Sequence, residues 1–279
     1  MTYVYTCILG GFDNLRPPMV PPEPGVRFIC FTDVPVLPDV PPWEFRPVHH
    51  VFASHDCMNV PVSGLVSLSR TSRLPKILPH LILPADADYS IWIDGNFQLA
   101  KAATEIINQE LRFEDWAAHR HPARDCVYKE AELLARCQRE TPAEWPGLSA
   151  DEVEAEVARY RAMGYPPING LTANGMIIRR HTDRVKSVCE YWWRLYSLGC
   201  GRDQLSFPVA AHVEGMKYNS MPHYPDIYAS PLARFGWHAA WKDKAPNPEY
   251  RPERERIAGR VRKLREIVGD GGYSWKEYK

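Results

Sequence analysis

Asp94-Gly95-Asn96 follows directly on the apolar run Tyr89-Ser90-Ile91-Trp92-Ile93. A carboxylate at the end of a strand, with a second oxygen ligand two residues on, can hold a divalent cation that bridges a diphosphate. Mg²⁺ and Mn²⁺ take oxygen ligands and bind through one or two carboxylates plus phosphate oxygens. Asp-Gly-Asn is also a good turn sequence, a reading that needs no ligand. Arg73, Lys76 and His80 stand three and four residues apart ahead of that strand, on one helical face disturbed by Pro75. Such cations meet phosphate charge by charge-assisted hydrogen bonds; a solvated basic face is the alternative. Arg120, His121, Arg124 and Asp125 form a second polar cluster, suited to sugar hydroxyls or phosphate, with Asp125 equally placed to cap a helix. Arg202-Asp203-Gln204 follows the Gly199-Cys200-Gly201 turn, which puts Asp203 in a first helical turn, where unpaired N–H groups stabilise a carboxylate. Thr6, Gly10, Gly11 and Asp13 close the first strand, and paired glycines let backbone approach a flat base or ribose closely. They do not make a G-x-G-x-x-G fingerprint, so nothing here supports a dinucleotide cofactor.

The elements that must position these groups alternate in type. Tyr3–Leu9, Val26–Phe31, Tyr89–Ile93 and Gly175–Ile178 are short runs rich in β-branched and aromatic residues and read as strands. Helical spacing runs over Ser63–Leu83, broken at Pro75, and over Ala102–Leu111, Asp125–Glu140, Ser149–Met163 and Asp183–Leu198, with a further helix starting near Arg202. Ser149 and Glu152 have the spacing of a capping box. The proline-dense stretch Pro17–Pro24 excludes a helix or central strand, and prolines continue through Pro35–Pro47, so the first third reads as loop-rich. Strands alternating with helices imply an α/β sandwich with a mostly parallel sheet and ligands at the carboxyl ends of the strands. Residues 1–245 are expected to form one domain. Residues 246–279 are expected to form a basic helical tail packed on or extending from the domain, with Ile257, Val261, Leu264 and Val268 on one stripe; a solvated face on a docked terminal helix is the plainer reading of its charge.

The chain has 279 residues, 34 Lys and Arg against 34 Asp and Glu, and so no global charge that selects nucleic acid or a membrane surface. The tail alone keeps a polyanionic acceptor such as nucleic acid in view. No apolar run approaches the roughly 18 residues of a membrane span. The N-terminal MTYVYTCILGG lacks a basic n-region and reads as a strand, not a signal peptide. Seven dispersed cysteines without C-x-x-C or zinc spacing read as buried free thiols, so the expected location is cytoplasmic. The sequence has no Gly-x-Ser-x-Gly elbow, P-loop or HExxH.

Several blocks together resemble the MUCI/TOD glycosyltransferase-like family: Tyr5-Thr6-Cys7-Ile8-Leu9-Gly10-Gly11-Phe12-Asp13, Phe28-Ile29-Cys30-Phe31-Thr32-Asp33 and Ser90 through Leu99. His121-Pro122, Arg124 through Tyr128, Gly175 through His181 and Arg202 through Phe207 complete the set. The resemblance implies a GT-A-like, Rossmann-like α/β/α sandwich and transfer of a sugar from a UDP- or GDP-sugar to a hydroxyl acceptor: a glycan, a protein, a small molecule or a modified nucleobase. Taken with the charge and turn readings above, the donor is expected against Thr6, Gly10, Gly11, Asp13, Arg73, Lys76, Asp94, Gly95, Asn96, Arg124 and Asn174, with Asn174-Gly175 resembling the segment at the transferred sugar. Catalytic groups are then Asp203 as base or acceptor ligand, Gln204 and Asp125. A divalent cation, Mn²⁺ or Mg²⁺, would sit on Asp94 and Asn96, with His238 (or His212) completing the set. Asn96 stands where an Asp would make the acidic motif complete. Two other readings remain open: a nucleotidyltransferase acting on a sugar phosphate, and an inactive nucleotide-sugar-binding module.

Overall fold

A computed structural model describes residues 1–33, 39–47, 71–121, 123–142, 145, 147–221 and 230–235. Its centre is a seven-stranded sheet. The strands are β1 (Thr2–Ile8), β2 (Val26–Thr32), β3 (Trp43–Pro47), β4 (Tyr89–Ile93), β6 (Trp116–Arg120), β7 (Thr172–Arg180) and β8 (Asn219–Met221), in the order β3-β2-β1-β4-β7-β6-β8. Four of the six pairings are parallel; β7 runs antiparallel to both of its neighbours. β5 (Phe97–Leu99) and β9 (Ala233–Phe235) form a small separate antiparallel ladder. This is the α/β/α sandwich with a mostly parallel mixed sheet that the sequence implied.

Strand side chains alternate between two faces, and each face has its own helical cover. Tyr3, Tyr5, Trp92, Trp116 and Ile177 point to one core, shared with α1 (Arg73–Ile77), α2 (Pro79–Ile82), α6 (Asp183–Leu198) and α7 (Asp203–Val213) through Leu74, Ile77, Trp192 and Phe207. Val4, Phe28, Ile91, Met176 and Ile178 point to the other, covered by Ala103, Ile106 and Ile107 of α3 (Ala103–Glu110). A third apolar cluster joins α4 (Val127–Glu140) and α5 (Ala150–Ala162) to the outer side of α7 through Leu134, Val153, Leu205 and Val209. α7 is therefore buried along both sides, with eight buried residues in one helix.

Most expected elements appear within a residue or two. The predicted helix over Ser63–Leu83 differs: its first residues lie outside the described ones, and the rest is two short helices that meet at Leu78. Pro75 lies in the first turn of α1, where no N–H partner is lost, so it does not break the helix. Asp125 does not cap α4; Cys126 occupies that position and Asp125 is exposed. Ser149 does cap α5, accepting from the Glu152 N–H at 3.4 Å. β3 arises within the proline stretch read as loop, because Trp43–Pro47 extends the parallel edge beside β2. The six described cysteines are free and buried; Cys57 and the 246–279 tail lie outside the described residues. Among the described residues no helix is long and apolar enough to cross a membrane.

The turn that delivers α7 is fixed by a buried carboxylate. Glu156 on α5 accepts from the Tyr160 hydroxyl at 2.5 Å and from the Cys200 N–H at 2.8 Å. Burial and the adjacent Glu156 charge push the Tyr160 phenol far up, so it stays a donor. A Cβ at Gly199 would lie 2.6 Å from the Glu156 carboxyl, so glycine is what lets the chain pass. Glu156→Ala leaves two buried donors without an acceptor, at about 1–3 kcal/mol each. The expected result is a fall of about 2–4 kcal/mol in unfolding free energy by urea titration, and a change below about 0.5 kcal/mol would contradict this role.

Candidate functional site

The site forms where β4 ends, where β7 begins and where α7 starts. β1 and β4 are parallel, with Tyr5 opposite Trp92, so the Gly10-Gly11 turn and Asp94 emerge at the same edge. The Asp94 N–H donates to the Gly175 carbonyl at 2.8 Å, tying that turn to β7. Asn174, buried beside it, donates from Nδ2 to the Asp203 carbonyl at 3.3 Å and accepts from the Thr172 hydroxyl at 2.7 Å. The first turn of α7 is thereby pinned to β7, and Asp203 reaches the edge where Asp94 stands.

Lys76 of α1 joins them. Its Nζ is 2.6 Å from Asp203 Oδ2 and 3.4 Å from Asp94 Oδ1, and its side chain is only 2% exposed. Asp94 Oδ1 also accepts from Trp92 Nε1 at 2.8 Å, and the ammonium lies 5.7 Å from the centre of the Trp92 ring. Arg73, one turn before Lys76, approaches Asp203 Oδ2 at 3.9 Å and keeps 29% of its side chain exposed. Behind the cluster, Arg179 is fully buried; it donates to the Lys76 carbonyl at 2.7 Å and to the Tyr5 hydroxyl at 2.6 Å, and stacks 4.2 Å over Trp116.

Burial works to raise the Asp203 carboxyl, but Lys76, Arg73 and Arg202 outweigh it and hold the group at about 2. Asp203 is thus a permanently charged anchor and a weak proton acceptor, and the arrangement favours its role as a ligand over that of a base.

The remaining expected site residues divide. Gly95 packs tightly: a Cβ there would meet Ile8 at 2.7 Å and the Asp13 carboxylate at 3.2 Å, which brings Asp13 to the site. Gly10 and Gly11 both have φ of 61°, the left-handed region glycine favours, and the Gly10 N–H donates to the Asp33 carboxylate at 2.9 Å. Thr6 is different. It lies two residues inside β1, wholly buried, and cannot touch a ligand. His80 is on α2 and turns to Glu190 at 3.4 Å, because the helix break at Leu78 separates it from Arg73 and Lys76.

Arg124 is committed to the buried Glu130 carboxylate, which His121 Nε2 also approaches at 3.9 Å. Burial raises the Glu130 carboxyl and His121, Arg124 and Arg202 more than offset this, so it is lowered overall. Asp125 is exposed and Gln204 accepts from Arg202 at 2.9 Å. His212 sits at the far end of α7, nine residues and about 13 Å from Asp203 along the helix, with Asn169 at 3.4 Å and its ring edge-on to Tyr165. It therefore does not complete a set with Asp94. His238 lies outside the described residues.

The fit to a divalent cation is poor as the residues stand. The space between the two carboxylates is held by the Lys76 ammonium, and Asn96 Oδ1 has essentially no accessible surface, so a hydrated ion has no room beside it. No group of three or more His, Cys, Asp or Glu among the described residues has metal-ligand geometry. Sequence reasoning missed Arg179 and Arg202 as parts of this site. A signal existed for Arg179: an arginine next to Met176-Ile177-Ile178 in a strand buried on both faces must have an internal partner.

A pH dependence follows. The Asp203 carboxyl ordinarily titrates at 3.8 and here at about 2, so its contribution to stability is complete above about pH 4 and is lost as the pH falls towards 2. The size is about 2 kcal/mol. Urea midpoints measured from pH 5 to pH 2 should fall more steeply for the unaltered chain than for Asp203→Asn; parallel curves would contradict the pairing.

No curated protein matches this sequence. Among solved structures, mouse xyloside xylosyltransferase 1 in its apo form is similar at 11% identity and a TM-score of 0.43, over 79% of this chain and 84% of that one. The apo bifunctional glycosyltransferase WbbM is similar at 10% identity and 0.41, over 79% and 38%. Core-mannan synthase A of Aspergillus fumigatus, in an Mn/GDP form, is similar at 11% and 0.35, over 77% and 73%. The TOD1/MUCI70 glycosyltransferase-like domain model matches residues 58–226, which takes in Lys76, Asp94, Asn174 and Asp203 but not the Tyr5–Asp13 and Phe28–Asp33 blocks. With well over half of its length and the whole charged cluster inside that match, the chain belongs to the TOD1/MUCI70 glycosyltransferase-like family.

Proposed function

We propose that this chain is a glycosyltransferase that moves a sugar from a nucleoside-diphosphate donor to a hydroxyl acceptor. The observation that carries the reading is the convergence of Arg73, Lys76, Asp94 and Asp203 at the carboxyl end of β4, in a family of glycosyltransferase-like domains. Open α/β sheets bind ligands at that edge. In the reaction the C1–O bond to the diphosphate breaks, its electron pair leaves with the phosphate, and the acceptor oxygen forms the new bond to C1 while its proton passes to the departing phosphate oxygen. Charge grows on the leaving diphosphate, and a preorganised cation there lowers the barrier.

Arg73 is the cation with exposed surface, so it takes the diphosphate oxygens. Asp94, tied through Oδ1 to Trp92 and Lys76, presents its other oxygen to the sugar hydroxyls. Asp203 holds Lys76 and orients the acceptor side, and Gln204 stands beside it. The Gly10-Gly11 turn is the surface on which base and ribose lie. The acceptor is a hydroxyl compound: a glycan, a protein, a small molecule or a modified nucleobase. The free, buried state of the described cysteines supports a reducing, cytoplasmic setting.

Incubation with radiolabelled UDP- and GDP-sugars tests this. Release of nucleoside diphosphate is expected, with Asp94→Asn lowering kcat about 100-fold and Arg73→Ala weakening donor binding about 10-fold. Pyrophosphate release from a sugar phosphate and nucleoside triphosphate would establish a nucleotidyltransferase instead. Tight nucleotide binding without turnover would establish an inactive binding module.

A further inference from the structure

We infer that the Lys76 ammonium is the built-in cation of this site, occupying the position between Asp94 and Asp203 that a divalent ion would need, so that a nucleoside diphosphate binds without a metal. The second clause rests on the donor-site reading above; the first does not. Three observations carry it. Lys76 Nζ contacts a carboxylate oxygen of each residue, 2.6 Å from Asp203 and 3.4 Å from Asp94, and these residues come from different elements. Its other surroundings admit no easy departure. The side chain is 2% exposed, with the Trp92 ring on one side, and Arg179 clamps the Lys76 carbonyl.

Charge balance is the third. Asp94, Asp203 and the neighbouring Asp13 bring three negative charges, and Lys76, Arg73 and Arg202 bring three positive ones. A divalent ion binds through carboxylates that are short of positive charge, and these are not. Placed beside a buried ammonium, it would meet strong repulsion in a medium that screens poorly. Asp94 Oδ1 is further occupied by the Trp92 N–H, which leaves that oxygen little capacity for a metal. An ammonium in this place keeps Asp94 oriented and lets Arg73 face the diphosphate.

The arrangement makes an unusual prediction: removing the lysine should create a metal site. Mn²⁺ is titrated into the full-length chain and the free-ion signal is followed by electron paramagnetic resonance. The unaltered chain is expected to leave the Mn²⁺ signal unchanged, whereas Lys76→Ala, with two unneutralised carboxylates, takes up one equivalent at least about 10-fold more tightly. Lys76→Ser, which vacates the same space, serves if Lys76→Ala does not fold. Uptake of one Mn²⁺ by the unaltered chain that is lost in Asp94→Ala overturns the inference. In parallel, calorimetry with UDP and with GDP should give dissociation constants within about threefold in EDTA and in Mn²⁺. Binding only with Mn²⁺ overturns metal independence while the donor reading stands. If neither nucleotide binds in either buffer, the donor reading falls and the Mn²⁺ titration alone decides the role of Lys76.

Discussion

A lysine ammonium taken almost wholly out of water costs several kcal/mol, and only close carboxylates recover it. At Lys76 two do so, and each is delivered by a different part of the chain. Asp94 arrives because β4 pairs with β7 and the Asp94 N–H is held by Gly175. Asp203 arrives because Asn174 and the Glu156-bound turn fix the start of α7. If either element were displaced, a buried charge would lose its partner, a loss worth about 3–5 kcal/mol. The ion cluster thus couples the sheet edge, α1 and α7 into one rigid corner. That is the condition a site needs to hold a diphosphate in a fixed place.

Behind the corner is a layer of buried polar groups with no direct access to a ligand. Arg179 spends its charge on the Tyr5 hydroxyl, the Lys76 carbonyl and the face of Trp116. Glu130 gathers Arg124 and His121 and lies close enough to Arg202 to share its field. Arg202 acts on both Glu130 and Asp203, so the two clusters are electrostatically continuous across the first turn of α7. His181 is held neutral by burial, with Arg179 adding to the effect, and titrates at about 4. Of Arg179 and His181, only Arg179 therefore carries positive charge at neutral pH. Such networks raise the cost of a wrong arrangement and favour one geometry.

The sequence carried the strands and helices of this fold well where periodicity is strong. Tyr89–Ile93 and Asp183–Leu198 have the predicted bounds, because their neighbours are turn formers and caps. β3 was hidden by prolines: a parallel edge strand needs few hydrogen bonds of its own, so Pro-rich flanks do not forbid it. The site was legible in its members and not in its wiring. Asp94, Arg73, Lys76 and Asp203 were all visible as charged groups near element ends, yet spacing along a helix cannot say that Lys76 turns inward while His80 turns to Glu190. Arg124 looked available because Glu130, its partner, lies six residues on, within an amphipathic helix, and reads as a solvated face. Thr6 is grouped with the closing glycines in the sequence, yet Cys7 and Ile8 of β1 stand between it and the turn.

We place the nucleoside diphosphate at the Lys76 corner, and the ammonium itself can report on it. A buried, ion-paired lysine exchanges its protons slowly, so ¹⁵N-detected NMR of the Nζ group should show one persistent ammonium signal that disappears in Lys76→Met. Addition of UDP or GDP to saturation is predicted to move that signal, because a diphosphate at Arg73 changes the field one helical turn away. A saturated complex in which the Lys76 signal stays where it was would place the nucleotide elsewhere and contradict the account.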